Sequence, residues 1–181
     1  MFKEITVKEF GDRYNIMHID EDWAAVSADN GENRNSMLIG WAGLGVLWSI
    51  PTFTIYIHKS RYSKEVFDKA KYYSVSILTG DNREKHMDAW KYLGTVSGRD
   101  EDKFAGAARL GLTVTEEIIG EEKVPYFAES DYVVICKMTG RTDFELDKLD
   151  APARIMKWYE SSGVHTIYEG EVIKVLEAAK E

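Results

Sequence analysis

The most hydrophobic stretch of the chain, residues 37–57, is broken by Gly40, Gly43, Gly45, Ser49 and Pro51. A membrane-spanning helix needs about 20 consecutive apolar residues, and glycine and proline in a helix interior cost about 1 and 3 kcal/mol each. Strands are what remain. At the end of the stretch and one residue beyond it, Thr52 to His58 reads Thr-Phe-Thr-Ile-Tyr-Ile-His, β-branched and aromatic throughout, side chains that suit a pleated surface. Upstream, Trp23 to Ala28 and Ser36 to Trp41 flank the polar run Asp29-Asn30-Gly31-Glu32-Asn33-Arg34, which predicts a hairpin.

Beyond these strands the period changes. Tyr62, Val66, Phe67 and Ala70 fall on one face of a helix over Arg61 to Lys71 that Ser60 could cap. Tyr72 to Leu78 returns to strand chemistry and ends at Gly80-Asp81-Asn82. Lys85 to Gly94 and Asp100 to Leu110 predict short helices separated by Thr95-Val96-Ser97-Gly98, and Val124 to Met138 carries strand residues. Asp150 can cap a helix with Pro152 in its first turn, an apolar face of Ile155, Met156, Trp158 and Tyr159, and Gly163 as its stop. A last strand, His165 to Leu176, contains Gly170, where a strand glycine marks a bulge or a close approach. The expected class is mainly β (α+β): a closed or nearly closed antiparallel sheet with short helical additions, in one domain over 1–181.

Composition removes several functions. The 181 residues carry 31 acids against 23 Lys and Arg, a formal charge of −8, which disfavours nucleic acid, because such binding rests on clustered cations displacing counterions. The lone Cys136 can form no intrachain disulfide and fits a reducing compartment. The charged opening Met1-Phe2-Lys3-Glu4 lacks a secretory pattern, so a cytoplasmic location and no membrane association are expected. His18, His58, His86 and His165 are scattered without metal-ligand spacing, and no serine or cysteine sits at a nucleophile elbow. No metal is expected.

Two junctions carry chemistry. Ser60-Arg61-Tyr62-Ser63 joins a strand end to a helix start, where free N–H groups and the helix dipole favour an anion that Arg61 could grip with two bonds. The plainer alternative is a helix cap with a surface arginine. Ser97-Gly98-Arg99-Asp100-Glu101-Asp102-Lys103-Phe104 offers a second such corner, with Lys103 as counter-charge or as a solvated helix residue. Gly40, Gly43 and Gly45 lack dinucleotide-fingerprint spacing; they either allow a tight corner or let backbone N–H groups approach a planar ligand.

Taken together, these segments resemble the flavin reductase and flavoredoxin family, whose domain is an FMN-binding Greek-key split β-barrel. The parts occur in the family's order: Asp22-Trp23, Asn35-Ser36-Met37, Gly45-Val46-Leu47-Trp48 with Pro51, Ser60 to Ser63, Ser97 to Asp100 with Asp102-Lys103-Phe104, and His165 to Gly170-Glu171-Val172. The resemblance implies that Asn35, Ser36 and Met37 line the isoalloxazine and ribityl side, and that the loop containing Leu47 and Trp48 approaches the ring. It implies that Ser60, Arg61, Tyr62 and Ser63, joined by Ser97, Gly98 and Lys103, bind the phosphate. His165 would sit near the ring or the nicotinamide, either catalytic or a barrel-end histidine satisfied by backbone. The sequence departs from many relatives in having Ser36 and Ser63 for threonine and Leu38 for a small polar residue.

A flavin does its own hydride chemistry, so a chain without a nucleophile or metal set agrees with this resemblance. What it implies is a homodimer with FMN at the subunit interface, reduced by NADH or NADPH. The alternatives are a flavoredoxin-like carrier fed by a redox partner protein, or a flavin-binding relative without turnover. The interface is expected to be apolar, with Trp158 and Tyr159 either in it or in the core.

Overall fold

The computed structural model describes residues 1–179. Its elements are β1 (Phe2–Ile5), α1 (Val7–Arg13), α2 (Ile19–Asp22), β2 (Ala24–Asp29), β3 (Arg34–Ile39), β4 (Ala42–Leu47), β5 (Ile50–His58), α3 (Tyr62–Phe67), β6 (Tyr72–Ile77), α4 (Gly80–Lys85), α5 (Met87–Thr95), α6 (Lys103–Arg109), β7 (Val114–Ile119), β8 (Glu122–Phe127), β9 (Tyr132–Asp143), α7 (Ala153–Ser162) and β10 (His165–Ala178). Eight strands form one sheet in the order β3-β2-β6-β9-β10-β5-β4, with β1 beside β10, while β7 and β8 form a separate hairpin. All pairs are antiparallel. The class is the one expected, but the sheet ends at β3 and β4 rather than closing.

Alternation along the strands divides the apolar side chains between two cores. Val26, Phe53, Ile55, Ile57, Tyr73, Val75, Val134 and Tyr168 point inside the curved sheet, whereas Ala25 and Leu38 point out and pack with Trp90, Leu93, Phe104 and Phe127. Burial of each large side chain contributes about 1.5–3 kcal/mol. The outer core holds α5 and α6 against β3, and so fixes where the second sequence corner lies.

β10 is the spine, paired with β9 on one side and with β5 and then β1 on the other. Its register against β9 shifts between Glu169 and Gly170 and again between Val172 and Lys174. Both readings of Gly170 hold: it lies at a bulge, and a Cβ there would fall 2.5 Å from Tyr73 Oη. The Tyr73 hydroxyl donates to the Phe53 carbonyl across the core.

Several expected boundaries move. Trp23 precedes the strand, with φ of 57° and ψ of 165°, because it closes α2. The helix after β5 stops at Phe67, and its N-cap is Arg61, with no side-chain bond; Ser60 hydrogen-bonds His58 instead. Gly80-Asp81-Asn82 begins α4 rather than ending in a loop, and the next helix starts at Met87. α6 begins at Lys103, because Asp102 caps it by accepting from the N–H groups of Phe104 and Ala105. Pro152, not Asp150, occupies the N-cap of α7, and Gly163 ends it as expected, at φ 93°. β1, α1, α2, β4 and β7 carry short or mixed patterns that periodicity did not resolve individually. Among the described residues no helix is long and apolar enough to cross a membrane.

Candidate functional site

The site begins with strand register. β5 places Phe53, Ile55 and Ile57 in the core, so the period of two turns Tyr56 and His58 to the other face. Pairing with β10 sets His58 directly opposite His165. Around these two rings lies a cleft of about 460 Å³, walled by Gly40 and Trp41 after β3, Tyr56, and Trp158 of α7. Trp158 stacks on His58 with ring centres 5.1 Å apart, and Trp41 lies 5.0 Å from His165.

Both imidazoles are wired to the α7 segment. His165 Nδ1 is 3.0 Å from the Tyr159 hydroxyl. Burial, with His58 and Arg61 nearby, pushes the His165 ring down to about 4, so it is neutral at pH 7. His58 Nε2 is 2.7 Å from the Gly163 carbonyl and its Nδ1 is 2.8 Å from Ser60 Oγ.

A second cavity of about 180 Å³ shares Met37, Ser60 and Arg61 with the first, so the two are continuous. It is walled by both chain corners, Ser60 to Ser63 and Ser97 to Arg99, together with Asn35 and Lys103. The corners press on each other: a Cβ on Gly98 would lie 2.5 Å from Asn35 Oδ1 and 2.6 Å from Tyr62 Cδ1. Only glycine fits there. Arg99 reinforces the contact by donating to the Ser60 carbonyl at 3.3 Å, pairing with Glu65 and lying over the Tyr62 ring. Asn35 Nδ2 donates to Ser63 Oγ at 2.8 Å.

Electrostatics give this pocket its chemistry. Lys103 is buried, and its ammonium donates to the Leu93 carbonyl. Burial, and then the neighbouring Arg61, lower it to about 8. Among the described residues no carboxylate pairs with Arg61 or Lys103. Two cations held together without a counter-charge, beside hydroxyl and amide donors, form an arrangement that a bound anion stabilises.

Of the residues singled out from sequence, Asn35, Met37, Ser60, Arg61, Tyr62, Ser63, Ser97, Gly98 and Lys103 come together here, and His165 lies in the adjoining cleft. Ser36 does not. Strand alternation turns it to the same face as Leu38 and Ala25, away from the cavity, where it is fully buried and its Oγ accepts from Ser27 Oγ at 2.9 Å. Leu47 and Trp48 line neither cavity; they lie at the β4–β5 turn, where Trp48 and Ser49 have φ of 54° and 62°. At about 3.3 Å per strand residue, that turn is roughly 25 Å along β5 from His58. His58, Tyr56 and Trp41 were not singled out from sequence. The alternation of Thr52 to His58 was the signal for the first two.

A family model described as flavin reductase like domain matches residues 18–181. No curated protein matches the chain. Among solved structures, an FMN-binding protein from Thermus thermophilus with bound 1-cyclohex-2-enone is 21% identical with a TM-score of 0.61, covering 86% of this chain and 70% of its own. Flavoredoxin from Methanosarcina acetivorans is 20% identical with a TM-score of 0.61, covering 88% and 69%. An NADH:FAD oxidoreductase from Streptomyces globisporus is 18% identical with a TM-score of 0.59, covering 87% and 75%.

Proposed function

The chain belongs to the flavin reductase-like domain family, and from that premise we propose that it is an FMN-binding oxidoreductase that accepts hydride from NADH or NADPH. The observation that carries this reading is the convergence of two distant corners on one small cavity with two unpaired cations, Arg61 and Lys103. Arg61, Lys103, Ser60, Ser63 and Ser97 would hold the phosphate, while Met37 and the aromatic cleft next to it would receive the ring. When bound, FMN supplies hydride and electron transfer that no side chain of this chain can perform.

The protein's own contribution is binding and a donor. Burial keeps the Tyr159 hydroxyl protonated by raising it above the usual phenol range. A phenol donates to imidazole more readily than it accepts, so neutral His165 receives that bond on Nδ1 and carries its hydrogen on Nε2. His165 thus offers the cleft one uncharged N–H donor. Trp41 and Trp158, each about half exposed, wall the cleft against water while leaving an entrance.

Assembly is part of the same reading. Val46 and Trp48 are 74% and 71% exposed on a hairpin whose outer strand, β4, is a sheet edge. Exposed apolar groups on an open edge favour pairing with a second copy. In a homodimer, the hairpin tip with Leu47 and Trp48 would serve the partner's cleft, which it cannot reach in its own subunit.

Anaerobic titration of the FMN-loaded protein tests the activity. NADH or NADPH should bleach the flavin absorbance. Failure to bleach, with reduction by a low-potential protein donor, would assign the chain to the carrier class instead.

A further inference from the structure

His58 lines the cleft and hydrogen-bonds Ser60 of the phosphate corner, and the proposed function leaves it without a task. We propose that His58 is a positioning residue for phosphate: by taking up a second proton it turns the Ser60 hydroxyl from a group whose hydrogen is occupied into a donor toward the bound phosphate. The proposal deepens the FMN reading and rests on it.

The argument follows the hydrogens. A backbone carbonyl only accepts, so His58 Nε2, 2.7 Å from the Gly163 oxygen, must carry a hydrogen. In the neutral ring Nδ1 is then bare and accepts from both the Ser60 N–H at 3.2 Å and the Ser60 hydroxyl at 2.8 Å. Both Ser60 donors are consumed by the imidazole, and the hydroxyl presents lone pairs to the pocket that it lines. Lone pairs repel an anion.

A proton on Nδ1 reverses the bond. Nδ1–H then donates to Ser60 Oγ, the hydroxyl hydrogen is released to point at the phosphate, and the Ser60 N–H is released with it. The ring also becomes a further cation in the cleft that Arg61 lines. Anion and proton therefore favour each other's binding, as linkage requires. Nε2 stays on Gly163 in both states, so the ring need not turn.

The groups facing His58 permit this exchange. From β10 comes His165, 5.0 Å away and neutral above about pH 5; from α7 come the Trp158 ring at 5.1 Å and Ser162 Oγ at 3.4 Å. The C-cap Gly163 supplies its carbonyl, with the Lys59 side chain packed over it, and the corner itself supplies Arg61. No carboxylate hydrogen-bonds or ion-pairs with His58 among the described residues. The negative charge that favours the second proton comes with the ligand.

Calorimetric titration with FMN, in two buffers of different ionisation enthalpy between pH 6 and 8, counts protons taken up per ligand. The FMN phosphate titrates in the same range, so the quantity of interest is the difference between the wild type and His58→Gln. We expect the wild type to take up more protons, approaching at most about one extra per FMN, the capacity of one imidazole. Riboflavin, which lacks the phosphate, should abolish the difference, and Ser60→Ala should diminish the uptake while leaving the imidazole in place. Equal proton counts in wild type and His58→Gln, or a difference that persists with riboflavin, would overturn the proposal. No binding of FMN at any pH would instead overturn the cofactor reading beneath it.

Discussion

Lys103 shows at the residue scale how a site opposes the stability of its own fold. A lysine lowered to about 8 binds fewer protons in the folded chain than in the unfolded one between about pH 8 and its ordinary 10.5. Stability therefore rises across that window, and below pH 8 the buried ammonium imposes its full cost. Lys103→Met should leave the melting temperature of the apoprotein at pH 7 unchanged or higher, the lost bond to Leu93 offsetting part of the gain, and should weaken FMN at least about tenfold. A lower melting temperature with unaltered FMN affinity would make Lys103 a packing residue. His165 titrates in the acid range by the same logic. Its folded value of about 4 lies below the ordinary 6.5, so its contribution is fully present above pH 6.5 and is lost as pH falls toward 4. Denaturant melts of His165→Gln should show a shallower loss between pH 6.5 and 4 than the wild type.

Elements decide which of these residues meet. The strand from Thr52 to His58, the hairpin around Asn30 and Gly31, the bulge at Gly170 and the stop at Gly163 were legible because each rests on a local rule of alternation or backbone freedom. The helix boundaries near Ser60 and Asp102 were not, because a side chain chose a different partner: Ser60 bonds His58, and Asp102 caps α6 two residues later than the expected start. Ser36 and Asn35 are neighbours with opposite fates, since pairing with β2 sends one to Ser27 and the other to Ser63. The resemblance named both without telling them apart. Gly98 is the contact on which the two corners depend. Gly98→Ala would force a methyl to within 2.5 Å of Asn35, and should cost about 1–3 kcal/mol of stability together with FMN affinity. Chemical denaturation and flavin fluorescence of that variant measure both, and an unaffected affinity would show that the corners need not touch.

At the scale of the whole molecule, a chain of charge −8 concentrates two unpaired cations in one cavity. A contact bond outweighs distant repulsion when the screening length is about 8 Å, so net acidity and anion binding coexist. In the homodimer proposed above, association of two such acidic chains would need an apolar surface, and the exposed Val46 and Trp48 would supply one. Trp48→Ser should shift the protein toward monomer in sedimentation and weaken the ring's contribution to flavin binding; an unchanged mass would place the contact elsewhere. The place of that hairpin was not legible from the chain, because nothing local says that its tip lies roughly 25 Å along β5 from His58 and outside both cavities. The central claim, that Arg61 and Lys103 jointly seat a phosphate, is tested most directly by comparing FMN with riboflavin in one fluorescence titration. With charge-assisted bonds worth about 1.5–3 kcal/mol each, FMN should bind at least about 100-fold more tightly, and Arg61→Ala should remove about 10- to 100-fold of that advantage. Equal affinity for the two flavins in the wild type would contradict it.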